Sequence, residues 1–187
     1  MNEARRKILA KLERAVAATT AKVAARAAAT LNPWPDETPE ALRAFYGEPG
    51  DRSNLVRVKT PYPIYYGCNL VSSVRLHKLV AASFVRVLEN VKLHYTQEQI
   101  SALGLDCYSG SFNDRNMRGG TRKSTHAWGI AIDWDAENNK LHDHAPDALF
   151  SHIEYEAWWQ CWEAEGWCSL GRERDYDWMH VQACKRV

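Results

Sequence analysis

The stretch STHAWGIAIDW, residues 124–134, ends in a short segment with the alternating pattern of a β-strand. Successive side chains of a strand point to opposite faces, so Ile130 and Ile132 share the face that suits a hydrophobic core. Asp133 points to the other face, where the small alanine two positions before it leaves room. His126 lies just upstream, before a glycine at which the backbone can bend. We therefore predict that a loop histidine and a strand aspartate converge on one point.

A second group of polar residues lies near the end of the chain, in the segment DYDWMH. It contains Asp177 and His180, which would share a face of a helical turn but oppose each other on a straight strand. Together with His126 and Asp133, His180 completes a set of two imidazoles and one carboxylate. This set is typical of catalytic zinc, which keeps a fourth position for water. The chain has no HExxH motif, so a helix-borne zinc site of that kind is excluded.

Asp177 is then left over, close in sequence to a candidate ligand but not needed as one. Hydrolysis at a metal site requires a base that takes a proton from the attacking water and returns it to the leaving group. We therefore predict that Asp177 is the general base.

These two motifs resemble those of the zinc peptidases that cut the stem peptides of peptidoglycan. The matched positions are Ser124, His126, Gly129, Ala131 and Asp133, followed downstream by Asp177 and His180. The family includes D-alanyl-D-alanine carboxypeptidases and dipeptidases, phage L-alanyl-D-glutamate endopeptidases and, more distantly, hedgehog-type domains. The segment RGGTRKSTHAWGIAIDW is most similar to the phage endolysin branch. The resemblance runs from about residue 45 to residue 183.

The resemblance implies a role for each matched polar position. His126, Asp133 and His180 would bind one Zn²⁺ per chain, and Asp177 would be the general base. Many family members have Glu at the position of Asp177, although the phage branch also uses Asp. The resemblance further implies a small central antiparallel sheet with helices packed on one side, as in hedgehog-type domains.

An arginine upstream of the first motif is the remaining catalytic residue that the resemblance implies. In the family it binds a substrate carbonyl or carboxylate and stabilises the oxyanion. Both Arg115 and Arg118 lie in the corresponding segment, and Arg115 is favoured because it follows the predicted strand YSGSF. Arg118 and Ser124 are then candidates for further substrate contacts.

The composition of the 187 residues is that of an ordinary globular protein, with a net charge of +1 that gives no support for nucleic-acid binding. Five cysteines without a CxxC pair predict buried, reduced thiols. No apolar run is long enough to span a membrane, and the first residues lack the pattern of a secretory signal. We expect a monomer that is made in the cytoplasm and acts on the cell wall after release.

Residues 1–32 differ from the rest of the chain because they are rich in alanine and carry seven basic and two acidic residues. Their apolar positions recur at helical spacing and predict a cationic amphipathic helix. Such a helix is either a structural docking or coiled helix, or one that contacts anionic envelope lipid or polymer. We divide the chain into this helix, a linker at 33–44 and a zinc peptidase domain at 45–187.

Further helices are predicted at residues 41–45, 75–93, 98–103 and 155–165. Short strands are predicted at YSGSF and GIAIDW, and LVRVKTPYPIYY reads as extended chain. Helices and short strands without regular βαβ alternation predict an α+β domain.

The expected function is that of a zinc metallopeptidase that hydrolyses peptidoglycan stem peptides, of the phage or prophage endolysin type. Two alternatives remain open on the residues alone. One is a D,D-carboxypeptidase that uses the same four residues. The other is a zinc-containing module without catalytic activity that binds the cell wall or belongs to a virion.

Overall fold

The computed structural model describes residues 32–187. The cationic helix predicted at 1–32 lies outside the described residues except for its last position. The described chain has a mixed α and β structure with several helices and small antiparallel sheets, as the predicted α+β class requires. No helix in this part of the chain combines the length and apolar character needed to cross a membrane.

Eight short strands lie between residues 32 and 187 and form three sheets. They are β1 (Leu55–Val58), β2 (Tyr65–Tyr66), β3 (Asn69–Leu70), β4 (Val74–His77), β5 (Tyr108–Gly110), β6 (Ala131–Trp134), β7 (Cys168–Ser169) and β8 (His180–Gln182). Strand β1 pairs with β4, and β2 pairs with β3. The central sheet has the order β5-β6-β8-β7, and all its pairs are antiparallel.

The pairing of β6 with β8 positions the polar residues that the sequence singles out. Ile132 lies opposite Val181, and both are fully buried in the core. The neighbouring pair is Asp133 and His180, whose side chains therefore lie on the other face of the sheet. One register thus buries the apolar pair and brings the carboxylate and the imidazole side by side.

Five α-helices lie in the described part of the chain. They are α1 (Pro39–Tyr46), α2 (Ala81–His94), α3 (Gln97–Ala102), α4 (Glu156–Ala164) and α5 (Leu170–Arg174). Helices α2 and α4 pack together through their apolar faces, and the rings of Phe84 and Trp162 lie 6.3 Å apart. Trp134 of β6 contacts the rings of both Trp158 and Trp162, so these tryptophans form the core under the central sheet.

The helix predicted at 75–93 is wrong in its first residues. The structure has strand β4 at Val74–His77, and helix α2 begins at Ala81. Val74 and Leu76 are buried while Arg75 is exposed, which is the alternation of a strand paired with β1. The other three predicted helices correspond to α1, α3 and α4 within two residues.

Residues 33–44, predicted as a linker, include side chains that pack against the rest of the described chain. Trp34 is only 4% exposed, and its indole N–H donates to the carbonyl of Glu165. Helix α1 follows with Thr38 as its N-cap and Pro39 in its first turn, and the Tyr46 hydroxyl donates to the carbonyl of Ala183 at 2.6 Å. Large apolar side chains hold this segment on the domain, so it belongs to the packed core. All five cysteines are free. Cys161, Cys168 and Cys184 are buried as predicted, but the prediction is wrong for Cys68, which is exposed, and Cys107 is only half-buried.

Candidate metal centre

His126 is held by a short 3-10 helix, Thr125–Trp128, that immediately precedes β6. The Ser124 hydroxyl caps this helix by accepting a hydrogen bond from the His126 backbone N–H. Gly129 ends it with a left-handed backbone, φ 69°, which turns the chain into the sheet. The His126 side chain is buried and points toward the face of the sheet that carries Asp133 and His180.

The side chains of His126, Asp133 and His180 converge on this face of the sheet, as predicted. The Asp133 Oδ1 atom lies 3.2 Å from His126 Nε2 and 3.0 Å from His180 Nδ1, and the two ring nitrogens are 3.2 Å apart. Among residues 32–187 this is the one group of three or more metal-binding side chains that is close enough to share an ion. Zn–N bonds of 2.0–2.1 Å correspond to ligand separations of about 3.3 Å in a tetrahedron. The three measured distances match that geometry closely.

In each imidazole, the nitrogen that points away from Asp133 already has a hydrogen-bond partner. This determines whether the nitrogen that faces Asp133 can bind a metal. His126 Nδ1 donates to the backbone carbonyl of Ser111, and His180 Nε2 faces the Gln182 Oε1 atom at 3.1 Å. A neutral imidazole then presents a lone pair from its other nitrogen. Two nitrogen lone pairs and a carboxylate oxygen in contact would repel one another. A positive charge must therefore lie among them, and it comes either from protons on the rings or from a bound cation. The residues therefore fit zinc, and each histidine has the hydrogen-bond partner that orients a ligand.

The ionisation of the triad follows from the same contacts. Burial alone would raise the pKa of Asp133, but the hydrogen bonds and charges of the two histidines outweigh it and hold this pKa well below its usual range. Burial alone would lower the pKa of His180, yet the hydrogen bond and charge of Asp133 raise it. The centre therefore favours a carboxylate surrounded by positive charge.

Asp177 lies beside the triad but is not part of it. It has a left-handed backbone, φ 53°, and its carbonyl accepts the His180 N–H at 3.0 Å, so a tight turn connects it to the ligand. Burial raises the pKa of the Asp177 carboxyl, and the charges of His180, Asp133, His126 and Arg118 modify that shift without any hydrogen bond. The turn explains how two residues three positions apart reach one cavity although His180 lies on a strand.

A cavity of about 290 Å³ opens above these residues, and the triad, Asp177 and Ser124 all line it. Both predicted arginines also line it. The Arg115 guanidinium donates to the carbonyl of Asn116, and Arg118 is exposed at the mouth. Sequence reasoning missed two more arginines in the lining, Arg122 and Arg186. The hydroxyl of Ser124 caps the helix that carries His126, in addition to lining the cavity.

Three further residues support the ligands and were not predicted. Ser111 supplies the carbonyl that orients His126, Gln182 contacts His180, and Glu37 in turn accepts a hydrogen bond from Gln182 at 3.0 Å. Strand alternation could have identified Gln182, since it lies two positions after His180 on the same face. Glu37 is 145 positions away from Gln182, and no local pattern connects the two.

The glycine between His126 and Asp133 provides a test of this local geometry. A methyl group at Gly129 would lie 2.7 Å from the Leu55 side chain and 3.1 Å from the His77 backbone nitrogen. We expect Gly129→Ala to lower the free energy of unfolding by about 3 kcal/mol, because strain and overpacking add. Gly119→Ala is the matched control, since it has a similar φ of +72° with open space around it. The control should lose only about 1 kcal/mol in chemical denaturation. Equal losses in the two variants would contradict the packing argument.

Comparison of this chain with protein-family models, curated proteins and solved structures finds no match in any of the three.

Proposed function

We propose that this protein is a zinc-dependent peptidase that hydrolyses peptide bonds in peptidoglycan stem peptides. One observation carries the proposal. Three ligand atoms lie 3.0–3.2 Å apart in the lining of a cavity that is also lined by the half-buried Asp177. A site that only stabilised the fold would be closed by a fourth protein ligand and would have no use for a neighbouring base. The resemblance of both motifs to peptidoglycan peptidases supports the substrate class.

His126, Asp133 and His180 would hold the metal. When bound, zinc would supply the positive charge that acidifies water and polarises the scissile carbonyl. Asp177 accepts the proton of the attacking water and then delivers it to the departing amine. Because burial raises its pKa, this carboxylate is a stronger base than an exposed aspartate, which favours proton transfer near neutral pH.

The arginines around the cavity bind and orient the substrate. Arg115 and Arg118 lie on the segment before His126 and line the same cavity as the ligands. Guanidinium groups pair with carboxylates and developing oxyanions, and one such donor typically contributes about 2.7–4 kcal/mol to transition-state stabilisation. A peptide rich in free carboxylates, as in peptidoglycan, matches this lining. We further propose that the protein acts as an endolysin of the phage type.

The first experiment pairs metal content with activity. Elemental analysis of the purified protein should give one zinc per chain, and digestion of Gram-negative sacculi should release peptides. Treatment with a chelator should abolish the release, and added zinc should restore it. The matched control is the protein passed through the same treatment without chelator.

The products then identify the reaction. Mass spectrometry that shows cleavage within the stem peptide supports an endopeptidase, whereas release of D-alanine alone supports the carboxypeptidase alternative. Zinc without digestion would favour a binding module that lacks activity. Absence of zinc, with no recovery of activity after its addition, would refute the proposed metal centre.

A further inference from the structure

A chain of hydrogen bonds leads from the metal centre to a residue outside the predicted catalytic domain. His180 Nε2 lies 3.1 Å from Gln182 Oε1, and Gln182 Nε2 donates to Glu37 Oε2 at 3.0 Å. The Thr125 hydroxyl also donates to Gln182 Oε1, at 3.2 Å. The side chain of Arg186 lies 3.7 Å from the same Glu37 oxygen. This series of hydrogen bonds therefore ends on the Glu37 carboxylate, whose charge is balanced by the guanidinium of Arg186.

The direction of each hydrogen bond in the series from His180 to Glu37 follows from the chemistry of Glu37, at its end. A carboxylate only accepts hydrogen bonds, so Gln182 must turn its NH₂ group toward Glu37 and its carbonyl oxygen toward His180. His180 must then donate from Nε2, so a neutral ring that keeps this hydrogen bond has its lone pair on Nδ1. Nδ1 is the atom that lies 3.0 Å from Asp133 in the triad.

From this polarity we infer that Glu37 is a positioning residue for the metal centre: acting through Gln182, it fixes His180 in the tautomer that can bind zinc. The inference rests on the proposed metal centre. Glu37 does not touch the metal or the substrate in this role. It removes the alternative in which Gln182 is flipped, its NH₂ group donates to Nε2, and the proton of His180 resides on Nδ1.

The backbone around Glu37 holds it in place for this role. Its N–H donates to the carbonyl of Lys185 at 2.6 Å, and its own carbonyl accepts from Arg122 at 3.1 Å. Its side chain is only 10% exposed. Because the backbone of Glu37 is anchored on both sides and its side chain is largely buried, the carboxylate stays beside Gln182 and selects one orientation of its amide.

The test compares zinc affinity, measured by competition with a chromophoric chelator, in wild type and Glu37→Gln. The variant keeps the shape of the side chain but can donate as well as accept, so Gln182 is free to flip. We expect affinity to fall about 10-fold or more, the usual effect of losing an outer partner of a metal ligand. Glu40→Gln, the same change on an exposed residue three positions away, is the matched control and should bind as the wild type does.

The double variant Glu37→Gln with Gln182→Glu separates hydrogen-bond direction from a general structural or charge effect. It exchanges the two side chains, so an acceptor-only carboxylate again faces His180 Nε2 while the total charge is unchanged. We expect it to recover most of the lost affinity.

Two results would overturn the inference while leaving the metal centre intact. They are wild-type affinity in Glu37→Gln, and a double variant that binds no better than the single one. If the wild type itself bound no zinc, the proposed metal centre would fail and this inference with it.

Discussion

Asp177→Asn should lower the rate of peptide hydrolysis by about 10²–10⁴-fold, the usual contribution of a general base, while the protein keeps its zinc. Asparagine preserves the size of the side chain but cannot accept the proton of the attacking water. Steady-state hydrolysis of a defined muropeptide, with elemental analysis of the same sample, measures both quantities. Asp147→Asn is the matched control, because Asp147 is exposed and lies outside the cavity lining.

The same substitution should raise the thermal stability of the metal-free protein at neutral pH. Burial raises the pKa of Asp177, so the folded state favours the protonated form and loses stability as the pH rises through that pKa. A neutral amide does not carry this penalty. Loss of activity together with a higher Tm would identify a functional carboxylate that is unfavourable for stability. Activity within a few-fold of wild type would refute the role of Asp177.

Zinc at about 100 times its Kd should stabilise the wild type by about 2.7 kcal/mol, and should not stabilise Asp133→Asn. Asp133 Oδ1 contacts both ring nitrogens, and an amide at this position supplies no charge for the metal. Thermal unfolding with zinc and with excess chelator measures the difference. Asp114→Asn is a suitable control, since Asp114 forms an ion pair with Lys123 away from the triad.

The stabilisation by zinc should also increase with pH. The pKa of His180 is raised by Asp133, so their contact stabilises the metal-free protein below the ordinary histidine value of 6.5 and is lost as the pH rises through the folded pKa. Zinc, in contrast, binds the neutral imidazole and competes with protons. The metal-free Tm should therefore fall above neutral pH while the zinc-dependent shift grows. A zinc shift that is independent of pH, or equal in Asp133→Asn, would contradict this assignment.

The convergence of the triad could be predicted from the sequence because its determinants are local. Alternation in GIAIDW predicts which face Asp133 takes, and a glycine marks the bend after His126. The tight turn that brings Asp177 next to His180 is also local, since its bond joins residues three positions apart. For these residues, short-range geometry decides where the side chains point.

The parts that sequence reasoning missed depend on contacts between distant segments. Strand β4 forms within an apparently helical pattern because β1 pairs with it, and this pairing has no signature in residues 75–77. Glu37 reaches the metal centre only because its segment binds the C-terminal one through Lys185. A single sequence reports its own periodicity but not which segment will lie beside it, and both errors arise from that limit.

The pairing of the two ends of the described chain has a consequence for residues 1–31. Glu37 and Arg186 both line the cavity, and Asn32 is five residues before Glu37, which limits its distance from Glu37 to about 18 Å. Any surface to which residues 1–31 attach would therefore be tethered close to the cavity, at a raised effective concentration. This gain depends on the length and stiffness of the tether.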